Sequence, residues 1–183
     1  MGMYTELVLG VELSKETPKE VIDVLRYMTG EDDENLLHKE ILENHPFFSC
    51  DRWKMLLICD SYYFDGQTHS EIVYDKISNS HFLTSRSNLK NYDDEIDLFL
   101  NWIDPYVTTY GNWGYKRYEE ASMPTIIFRD DNGYLKLLYA GETIDKAYGI
   151  DVKEIVENNI TCCICWRDED ENKKWQQWLN RLS

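Results

Sequence analysis

The sequence predicts a single α+β domain spanning residues 1–183, mainly an antiparallel sheet with two to three amphipathic helices packed on it. Three observations lead there. The chain has 183 residues, the size of one domain with its own core. Apolar residues make up 43% and aromatic residues 14%, enough burial to exclude wholesale disorder. Period-2 and period-3.6 segments alternate along the chain, with no internal repeat, low-complexity linker or shift in composition.

Met3 to Leu13 alternates, with Tyr4, Glu6, Val8 and Gly10 on one side and Thr5, Leu7, Leu9, Val11 and Leu13 on the other. This is a strand with one strongly apolar face. Thr17-Pro18 predicts a helix start, with Thr17 as N-cap and Pro18 at the first helical position. Val21, Ile22, Leu25 and Met28 form its apolar stripe, and Gly30 is the stop. A short helix over Leu36 to Leu42 ends before His45-Pro46.

The apolar run from Lys54 to Phe64 predicts a strand, followed by an Asp65-Gly66 turn. Ser70 to Ile77 and His81 to Leu89 continue an antiparallel meander, and Asn88 to Tyr92 is the next break. Asp93 to Ile103 is a helix: Ile96, Phe99, Leu100 and Ile103 share a face, and Asp93, Asp94 and Glu95 crowd the first turn, where the dipole favours them. Trp113 to Glu119 alternates, placing Trp113, Tyr115 and Arg117 together. Thr125 to Phe128 and Tyr134 to Tyr139 flank Asp131-Asn132-Gly133, a hairpin signal. A short helix over Asp151 to Asn158, a strand over Ile160 to Trp166 and a helix over Asp168 to Leu182 complete the expectation.

The chemistry-bearing motifs are sparse. There is no G-x-x-x-x-G-K-S/T, no strand-linked G-x-G-x-x-G, no H-E-x-x-H and no G-x-S-x-G. No cofactor is implied. The odd number of cysteines, five, and the lack of a signal-like opening point to free thiols and a cytoplasmic setting. Cys162, Cys163 and Cys165 fall in an apolar, strand-like run and read as small buried hydrophobes. Asp60, Asp65, His69 and Glu71 surround a predicted turn. Imidazole and carboxylates can bind a metal or exchange protons, which makes a small-ligand or metal-dependent enzyme centred on His69 one alternative. Their spacing matches no ligand pattern, and turns are polar for reasons of solvation alone. No metal site is assigned.

Charge is the feature that departs from average. Thirty-four acidic residues outweigh nineteen basic ones, for a net charge of −15. That excludes a basic protein wrapped around nucleic acid. No apolar run reaches membrane-span length. Acidic surplus gives solubility, but carboxylates laid along one face also imitate a phosphate backbone and steer onto basic clefts. The sequence candidates for such a partner contact are Glu31, Asp32, Asp33 and Glu34, then Asp93, Asp94 and Glu95, with Trp113 and Tyr115 as aromatic anchors.

Met3-Tyr4-Thr5-Glu6-Leu7, the Thr17-Pro18 start with Val21-Ile22, and the run from Asn88 to Ile96 carry a resemblance. So do Gly114-Tyr115, Arg117 to Glu120 and Pro124-Thr125. Over Met3 to about Phe128 the chain resembles a group of small, uncharacterised bacteriophage and prophage proteins. The resemblance carries no catalytic residues with it and implies a phage or mobile-element setting. Together with the charge it gives the leading expectation: a non-enzymatic, DNA-mimicking inhibitor of a host nucleic-acid-processing or defence enzyme, of the anti-CRISPR or anti-restriction kind. A phage accessory protein that self-associates as a homodimer is the remaining alternative.

Overall fold

The structure is a computed structural model that describes residues 3–31, 37–139 and the backbone of 149–151. The elements run β1 (Tyr4–Leu13), α1 (Lys19–Met28), α2 (Lys39–Leu42), β2 (His69–Asp75), β3 (Ser80–Lys90), α3 (Glu95–Ile103), β4 (Gly111–Tyr118), β5 (Thr125–Arg129), β6 (Leu135–Tyr139) and β7 (Gly149–Asp151). They form an α+β fold around one seven-stranded sheet of order β2-β3-β1-β4-β5-β6-β7. Every pairing among these strands is antiparallel.

The alternation in β1 sorts the two faces. Leu7, Leu9, Val11 and Leu13 are buried and meet Val21, Val24, Leu25 and Met28 of α1 with Ile96, Phe99, Leu100 and Ile103 of α3 in one core. Tyr4, Glu6, Val8 and Gly10 face the other way. Segment β3–α3–β4 steps over β1, so α3 lies on the core face, where Lys116 Nζ, opposite Leu7, reaches the Asp97 carboxylate at 2.5 and 2.7 Å.

Helix α1 closes as expected. Gly30 adopts φ 80°, its N–H donates to Tyr27 O at 3.0 Å, and Glu31 N–H donates to Arg26 O at 2.9 Å. This is a Schellman arrangement, and a left-handed residue there favours glycine. Its start differs from expectation. Pro18, at φ −55° and ψ 142°, occupies the cap position, and no side chain caps the helix. Thr17 Oγ1 is buried with no hydrogen-bond partner among the described residues. The helix begins one residue later than the capping pattern predicts, which leaves the cap to a residue without a side-chain acceptor.

The strand expected over Lys54 to Phe64 is overturned. Trp53–Met55 form a 3-10 turn, Pro46–Ser49 form another, and tight turns follow. Trp53, Leu56 and Leu57 are buried while Met55 and Ile58 are exposed. A spacing of three to four residues, not two, puts the large side chains inside. Asn88 to Lys90, expected as a break, continue β3.

Alternation also fails once in β4. Asn112 pairs with Phe128 and Gly114 with Ile127, so Trp113 is the extra residue of a β-bulge. Trp113 therefore turns away from Tyr115 and into the core, 1% exposed. Its Nε1–H donates to Thr109 O at 2.9 Å, and Arg129 lies over its ring at 4.9 Å. Asp151, expected to open a helix, ends β7. The rest of that helix, the run containing Cys162, Cys163 and Cys165, and the helix over Asp168 to Leu182 lie outside the described residues.

Candidate functional site

The outer face of the sheet carries a buried polar hub. Glu6 is wholly buried although it points away from the core. Its Oε1 accepts from Arg86 Nε at 3.0 Å and Nη2 at 2.8 Å. Its Oε2 accepts from Tyr115 Oη at 3.3 Å and lies 3.2 Å from Arg117 Nη2. Strand register brings these groups together: Arg86 on β3 and Tyr115 on β4 both pair with Val8, and Arg117 pairs with Glu6. Burial, then the Glu6 charge, pushes the Tyr115 hydroxyl pKa up.

This hub holds down the segment that follows the 3-10 turns. Arg86 Nη2 donates to Asp65 O at 2.6 Å, and Arg117 lies 4.9 Å over the buried ring of Phe64. Upstream, Asn88 N–H donates to Cys59 O at 2.9 Å and its amide to Asp60 Oδ1 at 3.2 Å. Gly66, at φ 113°, lies against the Arg86 guanidinium, where a Cβ would come within 2.3 Å of Nη1. Residues 59–66 are thus tied at both ends across the outer face.

The tie presents an aromatic patch. Tyr62 is 86% exposed and stacks on Tyr63 with ring centroids 4.7 Å apart. Tyr4 meets Tyr63 at 5.4 Å and Tyr62 edge-on at 6.3 Å. Tyr92 Oη accepts from Met3 N at 3.4 Å at the same end of the sheet. Carboxylates rim the patch. Glu119 N–H donates to Tyr4 O at 2.9 Å. The Tyr63 hydroxyl is held above the ordinary tyrosine range by its hydrogen bond with Tyr62 and then by the charge of Glu119. Desolvation, then Glu120 and Glu119, do the same to Tyr118. Asp60, exposed, stands two residues before Tyr62.

The sequence candidates fare unequally. Glu95 is fully buried, bound to Arg52 Nε at 2.9 Å, so it faces no partner. Its other oxygen accepts from Asp93 N–H at 3.0 Å. Asp93 is half exposed and 3.3 Å from Arg52. Asp94 sits at the helix cap in a left-handed conformation, its carboxyl pKa raised first by desolvation and then by Asp97. Of this cluster only Glu95 is drawn inside, by Arg52 from a distant segment, while Asp93 stays exposed. Trp113 is core, as the bulge dictates, and Tyr115 is a member of the hub. Glu31 Oε1 accepts from Ile72 N–H at 3.0 Å and from Thr29 Oγ1 at 3.2 Å. Asp32, Asp33 and Glu34 lie outside the described residues.

The His69 group does not converge. His69 is exposed on β2, 3.7 Å from Glu71. The Asp60 carboxylate accepts from Ser61 N–H at 2.7 Å and from Asn88, and Asp65 contributes its backbone carbonyl to Arg86. Among the described residues no group of three or more His, Cys, Asp or Glu side chains is placed to hold a metal ion. No described helix is long and apolar enough to cross a membrane.

The hub and the tyrosine pair were missed in the sequence. Glu6 is an acid on the outward side of a strand, as Glu12 is, and Tyr62-Tyr63 lay within a misassigned strand. The register that assembles the hub, Arg117 opposite Glu6 and Arg86 opposite the next outward residue, Val8, is set by strand pairing and is not written in any one segment. No family model matches this chain, and neither a curated protein nor a solved structure matches it.

Proposed function

We propose that the protein is a non-enzymatic acidic binding protein, phage-encoded, that inhibits a host nucleic-acid-processing or defence enzyme of the anti-CRISPR or anti-restriction kind by occluding a basic cleft. The observation that carries the reading is the exposed tyrosine patch, rimmed by carboxylates, on a chain of net charge −15. Tyrosine supplies contact area at low entropic cost, and acidic surplus steers a protein onto a basic surface. The resemblance to phage and prophage proteins supports the setting. The contact proposed here is Tyr62 and Tyr63 with Asp60, Glu119 and Glu120, in place of Glu95 and Trp113, which are buried.

Tagged protein retained on a column and exposed to host lysate tests this. A nucleic-acid enzyme retained at low salt, released at high salt, competed by duplex DNA, and blocked in DNA cleavage by stoichiometric protein is the expected result. Retention of partners indifferent to both salt and DNA would overturn the proposal.

A further inference from the structure

The rings at this end of the molecule follow a pattern. Lys90 Nζ lies 5.5 Å over Tyr4, Arg52 lies 5.1 Å over Tyr92, and Arg117 lies 4.9 Å over Phe64. Three neighbouring rings are each faced by one of the chain's own cations. Tyr62 and Tyr63 have no such cation among the described residues, although they are stacked at 26° and Tyr62 is the most open of the group. The ring face carries negative quadrupole charge, so an uncovered face beside carboxylates is a site for a positive group. Asp60 uses Oδ1 for Ser61 and Asn88, and Oδ2 makes no hydrogen bond among the described residues. The charge of Glu119 also acts on the Tyr63 hydroxyl.

We propose that the Tyr62–Tyr63 stack is an arginine-recognition site, taking a guanidinium from a basic protein surface onto the open face of Tyr62. This rests on the binding reading above and sharpens it. Arginine is favoured over lysine because a planar, weakly hydrated guanidinium stacks on a ring and forks onto a carboxylate, while an ammonium remains hydrated. The net charge of −15 supplies the attraction for any cation, and the stack supplies the preference.

The probes are two blocked peptides of equal length and charge, one all arginine and one all lysine, titrated into the full chain by NMR. The arginine peptide should bind roughly three- to fivefold more tightly, the range of an exposed cation–π contact, and should shift the Tyr62 and Tyr63 signals most. Tyr62→Ala should erase the preference while leaving net charge and melting temperature unchanged, and Tyr62→Phe should keep it. Equal affinity for the two peptides, or a preference that survives Tyr62→Ala, overturns the arginine site and leaves the acidic binding reading standing. No binding of either peptide at low salt counts against both.

Discussion

Glu6 and Arg86 form a two-point ion pair on the outer face of the sheet, with both guanidinium contacts falling on one carboxylate oxygen at 2.8 and 3.0 Å. The same arginine holds Asp65 O, so a single side chain links a buried acid to the segment above it. Arg86→Ala should therefore have two effects. It should destabilise the fold by about 2 kcal/mol, because Glu6 keeps Arg117 and Tyr115 but loses its closest partner. It should also raise amide exchange across residues 60–66 more than in the core. Denaturant titration and hydrogen exchange read the two effects separately.

Arg52 and Glu95 make the corresponding pair at the start of α3. Arg52→Ala strands a fully buried carboxylate and should cost roughly 3 kcal/mol in urea unfolding. Asp93→Asn, at a half-exposed position with the weaker contact, should change stability by less than about 1 kcal/mol.

Two glycines of neighbouring strands should respond in opposite ways. Gly114 lies at φ 144°, and a Cβ there would stand 2.0 Å from Val8 O. Gly114→Ala should lower stability by more than about 3 kcal/mol, since the obstacle is backbone. Gly10 has no described atom within 4 Å of where a Cβ would stand, and its φ is ordinary. Gly10→Ala should leave stability within about 0.5 kcal/mol or raise it. Thermal melts of the two variants check both.

His45 should make the protein acid-sensitive. Its Nδ1 accepts from Phe47 N–H at 3.2 Å, so Nε2 carries the proton towards Asn101 Oδ1 at 3.1 Å. Desolvation lowers its pKa from 6.5 to about 4, with the Asn101 contact opposing. The unfolded chain takes up this proton first, so stability from His45 is full above pH 6.5 and falls as pH drops towards 4. The loss from this residue should approach roughly 3 kcal/mol at the acid end. His45→Asn, which can still accept from Phe47 N–H but does not titrate, should flatten that part of the stability profile.

Strand β1 and helices α1 and α3 were legible because their apolar residues recur at the period of the element they form, and β5 and β6 because they flank the Asp131-Asn132-Gly133 turn signal. What could not be read came from long-range partners. Glu95 looks like a solvated first-turn acid until Arg52, 43 residues earlier, is brought against it. Trp113 looks like a neighbour of Tyr115 until the bulge adds a residue on one strand alone. The run around Leu56 and Leu57 satisfies a strand pattern by composition, and tight turns bury the same side chains at a different spacing. The site lies in the least legible places: a two-faced strand whose polar side is covered by a turn-rich segment, and an ion pair whose members come from β1 and β3.

The carboxylate of Glu31 also bears on how molecules of this protein meet one another. Among the described residues strand β2 is the outermost on its side of the sheet, and the Ile72 N–H that points outward is already taken by Glu31. A second molecule seeking to extend the sheet there would have to displace a charged side chain to reach the backbone beneath it. One acid of the surplus thereby occupies a backbone donor on a strand that exposes Val73 and Tyr74.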